Sequence, residues 1–222
     1  SKRISTPAQT STSIKSASLR SFVSRVQAEG KRLYRDLPWR YIDDPYAVLV
    51  SEVMLQQTQV SRVLTKWDQF LALFPTLDAL AAADTAIVLD SWQGLGYNRR
   101  ALALKKTADL CASQYQGHLP KTFDELLQLP GIGPATAAGV YAFAFDKPAM
   151  YLETNVRTVF LYELFPDEDH VSDKELIPLI EATCPQSGVR DWYYALLDYG
   201  AHIKTTIGNP ARRSTTYSKQ SN

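Results

Sequence analysis

Apolar residues recur at three- and four-residue spacing through most of the chain, from about 18 to 208. Asp44-Pro45 reads as an N-cap and first helical position, and apolar side chains follow at 46, 49, 50, 53 and 54. Further helical stretches are predicted near 61–74, 76–82, 84–92, 98–115, 122–128, 134–145, 155–165, 173–183 and 190–204. Turn-forming residues separate them: Phe74-Pro75, Gly94-Leu95-Gly96, Gly117 to Pro120, Lys147-Pro148 and Cys184-Pro185. No strand alternation of useful length occurs, so the pattern predicts an all-α chain of many short helices. Residues 1–17, rich in Ser and Thr, are expected to be disordered, as are 209–222. One position breaks the pattern: Glu52 stands in an otherwise apolar helix, Val50-Ser51-Glu52-Val53-Met54-Leu55. A carboxylate among apolar neighbours is costly unless it has a partner or a task.

The chain has 222 residues and 45% hydrophobic content, enough for one or two domains with a core. No apolar run approaches the roughly 20 residues that span a bilayer, and no signal-peptide pattern opens the sequence. No membrane association is therefore expected. Cys111 and Cys184 are too far apart in sequence to suggest a disulfide framework or a metal-ligand cluster. A reducing compartment is expected, the cytoplasm in a prokaryote or the nucleus in a eukaryote. The net charge of +1 is unevenly placed. Residues 1–40 hold nine Lys or Arg against two acids, and 204–222 hold four basic residues and no acid. Residues 163–181 hold seven acids and one Lys. Such a distribution suits oriented binding of a polyanion, or else merely basic solvated tails.

Two segments carry candidate chemistry. Leu129-Pro130-Gly131-Ile132-Gly133-Pro134 separates a short amphipathic helix from an Ala-rich one. Two glycines two residues apart permit a tight turn with its N–H groups outward, and the following helix adds its positive dipole end. This is the pattern of a helix-hairpin-helix, which holds a nucleic-acid phosphate without reading sequence. In the second segment, an apolar approach ends at Glu153, where a helix begins at Thr154-Asn155-Val156. A carboxylate there is expected to have a lowered pKa, whereas Glu52 is expected to have a raised one. Acids with diverging pKa values suit one as proton donor and the other as fixed negative charge. Glycosidic-bond cleavage needs both: a proton for the leaving group and an anion for the sugar cation.

With Ser51 to Val60, the LPGIG hairpin and Glu153 to Val159 in hand, the sequence resembles the helix-hairpin-helix (HhH-GPD) DNA glycosylase superfamily. It is most similar to the adenine DNA glycosylases of MutY type, over roughly residues 20–205. The resemblance implies two helical domains flanking a DNA groove: a six-helix barrel over 37–146, and a second cluster joining 18–36 to 147–208. It implies a monomeric base-excision enzyme that flips a nucleotide out of double-stranded DNA carrying a mispaired or damaged base. Glu52 matches the position that protonates the base, Glu153 the position that stabilises the sugar cation, and Asn155 a supporting asparagine. Leu37, Trp39, Arg40 and Val60 match the base pocket. Gln57, Thr58, Leu95 and Tyr97 match residues that wedge into the duplex. Gly131, Gly133, Ala135 and Thr136 match the DNA-binding hairpin, where a monovalent cation could also sit.

The sequence departs from that pattern in four ways. Glu153 replaces an aspartate and is one methylene longer. Ala135 lies where some relatives carry a catalytic lysine, so strand-cleaving lyase chemistry is not expected. Lys204 stands where the first cysteine of an iron–sulfur loop would fall, and no cysteine follows it, so no cluster is expected by the usual ligands. Closure by packing is expected instead from Trp192, Tyr193, Leu196, Leu197 and Ile203. Finally, the domain that reads 8-oxoguanine in the family is expected to be absent beyond 222. These departures leave the excised base open. Adenine opposite 8-oxoguanine or guanine is the first expectation. The alternatives are a thymine or uracil mismatch glycosylase on the same scaffold, and a lesion-binding protein with weakened catalysis.

Overall fold

A computed structural model describes residues 16–210. Eleven helices account for the regular structure among them, and no strand occurs. They are α1 (Ser16–Arg32), α2 (Pro45–Leu55), α3 (Val60–Leu73), α4 (Leu77–Ala82), α5 (Thr85–Ser91) and α6 (Arg99–Gln114), followed by α7 (Phe123–Leu127), α8 (Pro134–Phe145), α9 (Thr154–Leu164), α10 (Asp173–Thr183) and α11 (Val189–Thr206). The tails expected to be disordered lie mostly outside the described residues. Where they overlap, Ser16 and Ala17 are helical: they extend α1, whose core face carries Phe22, Val26 and Gly30. No helix of the described residues is long and apolar enough to cross a membrane.

The chain divides into two compact units. Among the described residues, one joins 16–35 with Leu152–Pro185 and 191–210, and the other joins Asp36–Tyr151 with Gln186–Arg190.

The Asp36–Tyr151 unit is built around α2. Asp44 caps it, accepting the Tyr46 N–H at 3.1 Å, and Pro45 sits in its first turn. Eight of its eleven residues are buried, as expected for a helix that is apolar all round. It packs on α3, α6 and α8, while α4 and α5 cover α6 and α7 lies on α8. Polar atoms inside this core find partners: Tyr46 Oη donates to Phe74 O at 2.8 Å and Trp67 Nε1 to Ala47 O at 2.9 Å. The unit thus holds seven helical segments, three of them of seven residues or fewer. Helix α8 is rich in small residues, with Ala137, Ala138, Gly139 and Ala142 buried, which lets its backbone approach α2 closely. The 186–190 segment is tied in by Arg190, whose N–H donates to Asp146 Oδ1 at 2.9 Å and whose Nη2 donates to Ala144 O at 3.1 Å.

The other unit packs α1, α9, α10 and the body of α11. Phe22 lies against Phe160 at 4.8 Å between ring centroids and against Trp192 at 6.3 Å. A side chain at Gly30 would overlap Ala195, so α1 and α11 touch through their smallest residues. Of the five residues expected to close this unit, Trp192, Tyr193, Leu196 and Ile203 are buried, while Leu197 is only partly so. Polar fasteners accompany them. Buried Asp198 accepts the Arg35 Nε at 2.5 Å and the Arg35 N–H at 3.2 Å. Glu163 accepts both the Tyr199 hydroxyl and the Arg25 Nε.

Candidate active site and DNA-contacting loops

Glu52 lies two-thirds along α2, flanked by the buried side chains of Ser51 and Val53 and itself only partly exposed. Two residues far away in sequence shape its surroundings. Tyr151 donates its hydroxyl to Glu52 Oε2 at 3.2 Å. Gly139 of α8 faces the same oxygen: a methyl group there would overlap Glu52 Oε2 and come within 3.2 Å of the Tyr151 ring. Tyr151 is itself buried and held edge-on by Phe143 at 5.3 Å. The carboxylate therefore occupies a slot walled by a glycine and oriented by a phenol. Sequence reasoning assigned a role to neither. The available signal was a glycine at a buried position inside an Ala-rich helix, where it costs about 1 kcal/mol in propensity.

Glu153 is the N-cap of α9, and its Oε1 accepts the Val156 N–H at 2.7 Å. That geometry favours the ionised form, as do the Asn155 N–H, Lys204 and Arg157. Burial acts against all of them and is the largest effect, so the Glu153 carboxyl titrates above the ordinary glutamate value. This corrects the lowered pKa expected from its place at a helix start: the capping bond is present, but desolvation outweighs it. Lys204 feels the reciprocal effects. Burial lowers its pKa, while the Glu153 charge raises it. Helix α11 reaches this place because Gly200 carries no side chain: a Cβ there would overlap the Asn155 carbonyl. Lys204 follows one turn later. Asn155 Oδ1 is buried and has no hydrogen-bond partner among the described residues, which leaves an acceptor available to water or substrate.

The hairpin runs from α7 through Leu129–Gly133 to α8. Gly131 needs its glycine twice over. Its φ is 71°, and a side chain would overlap Ala103 of α6. Gly133 has an ordinary φ of −87° and open space where a side chain would be. The first helical bond of α8 is from Ala137 N to Gly133 O at 2.9 Å, so the amides of exposed Ala135 and of Thr136 have no helical acceptor among the described residues. The Thr136 side chain is committed elsewhere: it is buried, and its hydroxyl accepts Gln56 Nε2.

The remaining expected site residues separate by exposure. Gln57 and Tyr97 are exposed, Tyr97 at 38%, and both have positive φ, 57° and 49°. Leu95 and Thr58 are buried, so their side chains support these loops from within and are not free to wedge. Leu95 belongs to the core cluster. Trp39 is also a core residue, edge-on to Trp67 at 5.9 Å, with Leu37 and Val60 partly buried against the same cluster. Arg40 is buried beside it. The chain's two cysteines do not fit an iron–sulfur ligand set: Cys111 is buried in the Asp36–Tyr151 unit, and Cys184 lies in the other.

An all-helical chain with bare amides at a Gly-rich hairpin falls in the class of helix-hairpin-helix proteins. Residues 50–181 match the family described as HhH-GPD superfamily base excision DNA repair protein. The chain belongs to that family. It is 39% identical over 173 residues to an adenine DNA glycosylase of Mycolicibacterium smegmatis, covering 77% of this chain and 59% of the relative. It is 30% identical over 185 residues to a thymine/uracil-DNA glycosylase of Methanothermobacter thermautotrophicus, covering 82% and 84%. The chain spans only part of the adenine glycosylases it matches: 48% of one from Buchnera aphidicola, 59% of that from Mycolicibacterium smegmatis and 26% of that from Mus musculus. A solved thermostable thymine-DNA glycosylase superposes with a TM-score of 0.76 at 27% identity, covering 87% of this chain and 91% of that one. An endonuclease III trapped on DNA superposes at 0.72 with 20% identity, covering 85% and 87%, which speaks for the fold alone.

Proposed function

We propose that this protein is a monofunctional DNA N-glycosylase that hydrolyses the bond between deoxyribose and a mispaired base, with adenine opposite 8-oxoguanine or guanine as its first substrate. The observation that carries the reading is the Glu52 slot. An apolar helix, a wall without a side chain and a tyrosine hydroxyl fix one carboxyl group in surroundings suited to delivering a proton. Protonating the base turns it into a better leaving group and leaves positive charge on the sugar. Glu153 is assigned the negative charge that steadies this cation. Lys204, Arg157 and two backbone amides favour that charge against the burial that opposes it. The unpartnered Asn155 Oδ1 is assigned to hold a water or the substrate. The bare amides of α8 suit a DNA phosphate, with a monovalent cation as a further candidate at the hairpin turn. Ala135 offers no amine for a Schiff base, which favours hydrolysis over strand cleavage.

The identity of 39% to an adenine glycosylase supports adenine as the substrate. A thymine or uracil opposite guanine is the second reading. It is favoured by the archaeal thymine/uracil glycosylase, of which this chain covers 84%. Duplexes carrying adenine opposite 8-oxoguanine, adenine opposite guanine, thymine opposite guanine and uracil opposite guanine distinguish the two after alkali treatment. Cleavage at adenine alone supports the first reading, and cleavage at pyrimidines alone replaces it with the second. Tight binding with no cleavage of any duplex overturns both. Strand breaks without alkali would contradict the monofunctional assignment.

A further inference from the structure

We propose that Arg100 is a positioning residue that locks the loops 56–59 and 94–97 into one unit, so that Gln57 and Tyr97 enter DNA together. The proposal rests on the reading that these loops face DNA.

Arg100 is the second residue of α6 and 7% exposed. A buried guanidinium with no carboxylate partner is uncommon; among the described residues its Nη1 and Nη2 are met by carbonyls and a hydroxyl, while Nε is buried without a partner. Nη1 donates to Val53 O at 2.9 Å, to Met54 O at 3.0 Å and to Gln56 O. Nη2 donates to Thr58 Oγ1 at 3.0 Å, Leu95 O at 3.1 Å and Gly96 O at 3.1 Å. One fork thus meets the last carbonyls of α2, the loop that follows them, and the separate loop before α6. The α2 acceptors lie at the negative end of a helix, where a cation is favoured. Arg100 Cζ lies over the Trp92 ring at 5.5 Å from its centroid and over the Tyr97 ring at 5.7 Å. Trp92 adds a brace of its own, from Nε1 to Gly96 O at 3.1 Å.

What the fork holds is strained. Gln57 and Tyr97 both sit in the left-handed region although neither is glycine. Such backbone persists only where the surroundings over-determine it. Four of the six acceptors come from residues immediately around these two positions: 56 and 58 flank Gln57, and 95 and 96 precede Tyr97. A lysine has three N–H groups on one atom and cannot reach both loops as a planar fork does. An aliphatic residue would remove all six bonds at once, leaving Gly96 O with only Trp92 Nε1 and Val53 O with only the Gln56 N–H. Core packing has no need of an arginine here, because the surrounding cluster is apolar.

The test uses the full chain and a duplex containing a tetrahydrofuran abasic analogue with 2-aminopurine opposite it. Its fluorescence rises when a wedge unstacks the opposite base, whichever base the enzyme excises. Tyr97→Ala and Gln57→Ala test the loop reading itself. Loss of most of the fluorescence rise in either supports that reading, and an unchanged rise in both overturns it together with the present proposal. Given that support, Arg100→Lys is expected to lose the rise as Tyr97→Ala does, while binding undamaged duplex within about threefold of the parent. The double variant Arg100→Lys/Tyr97→Ala is expected to be no worse than the poorer single one, because the two act through one element. Val63→Ala, a cavity elsewhere in the same unit, is the control for simple destabilisation and is expected to keep the full rise. Thr58→Val replaces Arg100→Lys should the latter not fold. A full rise in Arg100→Lys, or an equal loss in Val63→Ala, overturns the proposal.

Discussion

Replacing Gly139 with alanine adds one methyl group at the point where α8 faces the Glu52 carboxylate. The methyl would overlap Glu52 Oε2 and meet the Tyr151 ring at 3.2 Å. The ring is buried, so the carboxylate must give way, by roughly an ångström before contact becomes ordinary. Stability changes little. Alanine in a helix interior gains about 1 kcal/mol over glycine. Disturbing the Tyr151 hydrogen bond to a carboxylate costs about 1.5–3 kcal/mol. The net effect is a loss of about 0.5–2 kcal/mol, a fall in Tm of roughly 1–8 °C for a chain of this size. Activity falls much further. A proton donor misplaced by about 1 Å costs on the order of 10²-fold, equivalent to about 2.7 kcal/mol of barrier. Single-turnover base release with enzyme in excess, beside a thermal melt, measures both quantities. A Gly139→Ala variant that melts as expected and releases base at the parent rate would refute the role given to the slot.

Other outcomes follow from the electrostatics. Burial raises the Glu153 pKa, so Glu153 holds its proton more tightly folded than unfolded. Its contribution to stability is complete below the unfolded value and is lost as pH rises through the folded one. The Tm of Glu153→Gln relative to the parent should therefore rise as pH increases above the ordinary glutamate value, and a flat or falling difference would contradict this sign. Lys204→Met removes a charge that lowers that pKa, so the parent's loss of stability should extend to higher pH in this variant, as thermal melts across pH would show. Burial pushes the Cys111 thiol up to about 11, so native protein should react with a thiol reagent at Cys184 and not at Cys111, and mass mapping of the adducts decides this.

Local rules made the helices and the hairpin legible in the sequence. Asp44-Pro45 announced the start of α2, and Pro134 after a Gly-X-Gly turn announced α8. Glu52 stood out because an apolar helix has no ordinary place for a carboxylate. What the sequence hid is non-local. Tyr151 lies 99 residues from the acid it orients, and Gly139 matters only because of what faces it. Arg100 resembles any first-turn arginine until the carbonyls of two loops are brought around it. The Glu153 pKa was missed for the same reason: the capping bond is local and foreseeable, whereas the burial that outweighs it cannot be read from its neighbours in sequence. Leu95 and Thr58 were assigned with Tyr97 and Gln57, yet alternate residues of such tight loops face opposite ways, one pair inward and the other to solvent.

The most direct test of the central claim is Glu52→Gln, which keeps the shape of the side chain and removes its acid. Single-turnover base release and the affinity for a tetrahydrofuran duplex are measured on the same preparation. The account predicts release slowed by about 10²- to 10⁴-fold, with affinity within about threefold of the parent. Release at the parent rate would contradict it.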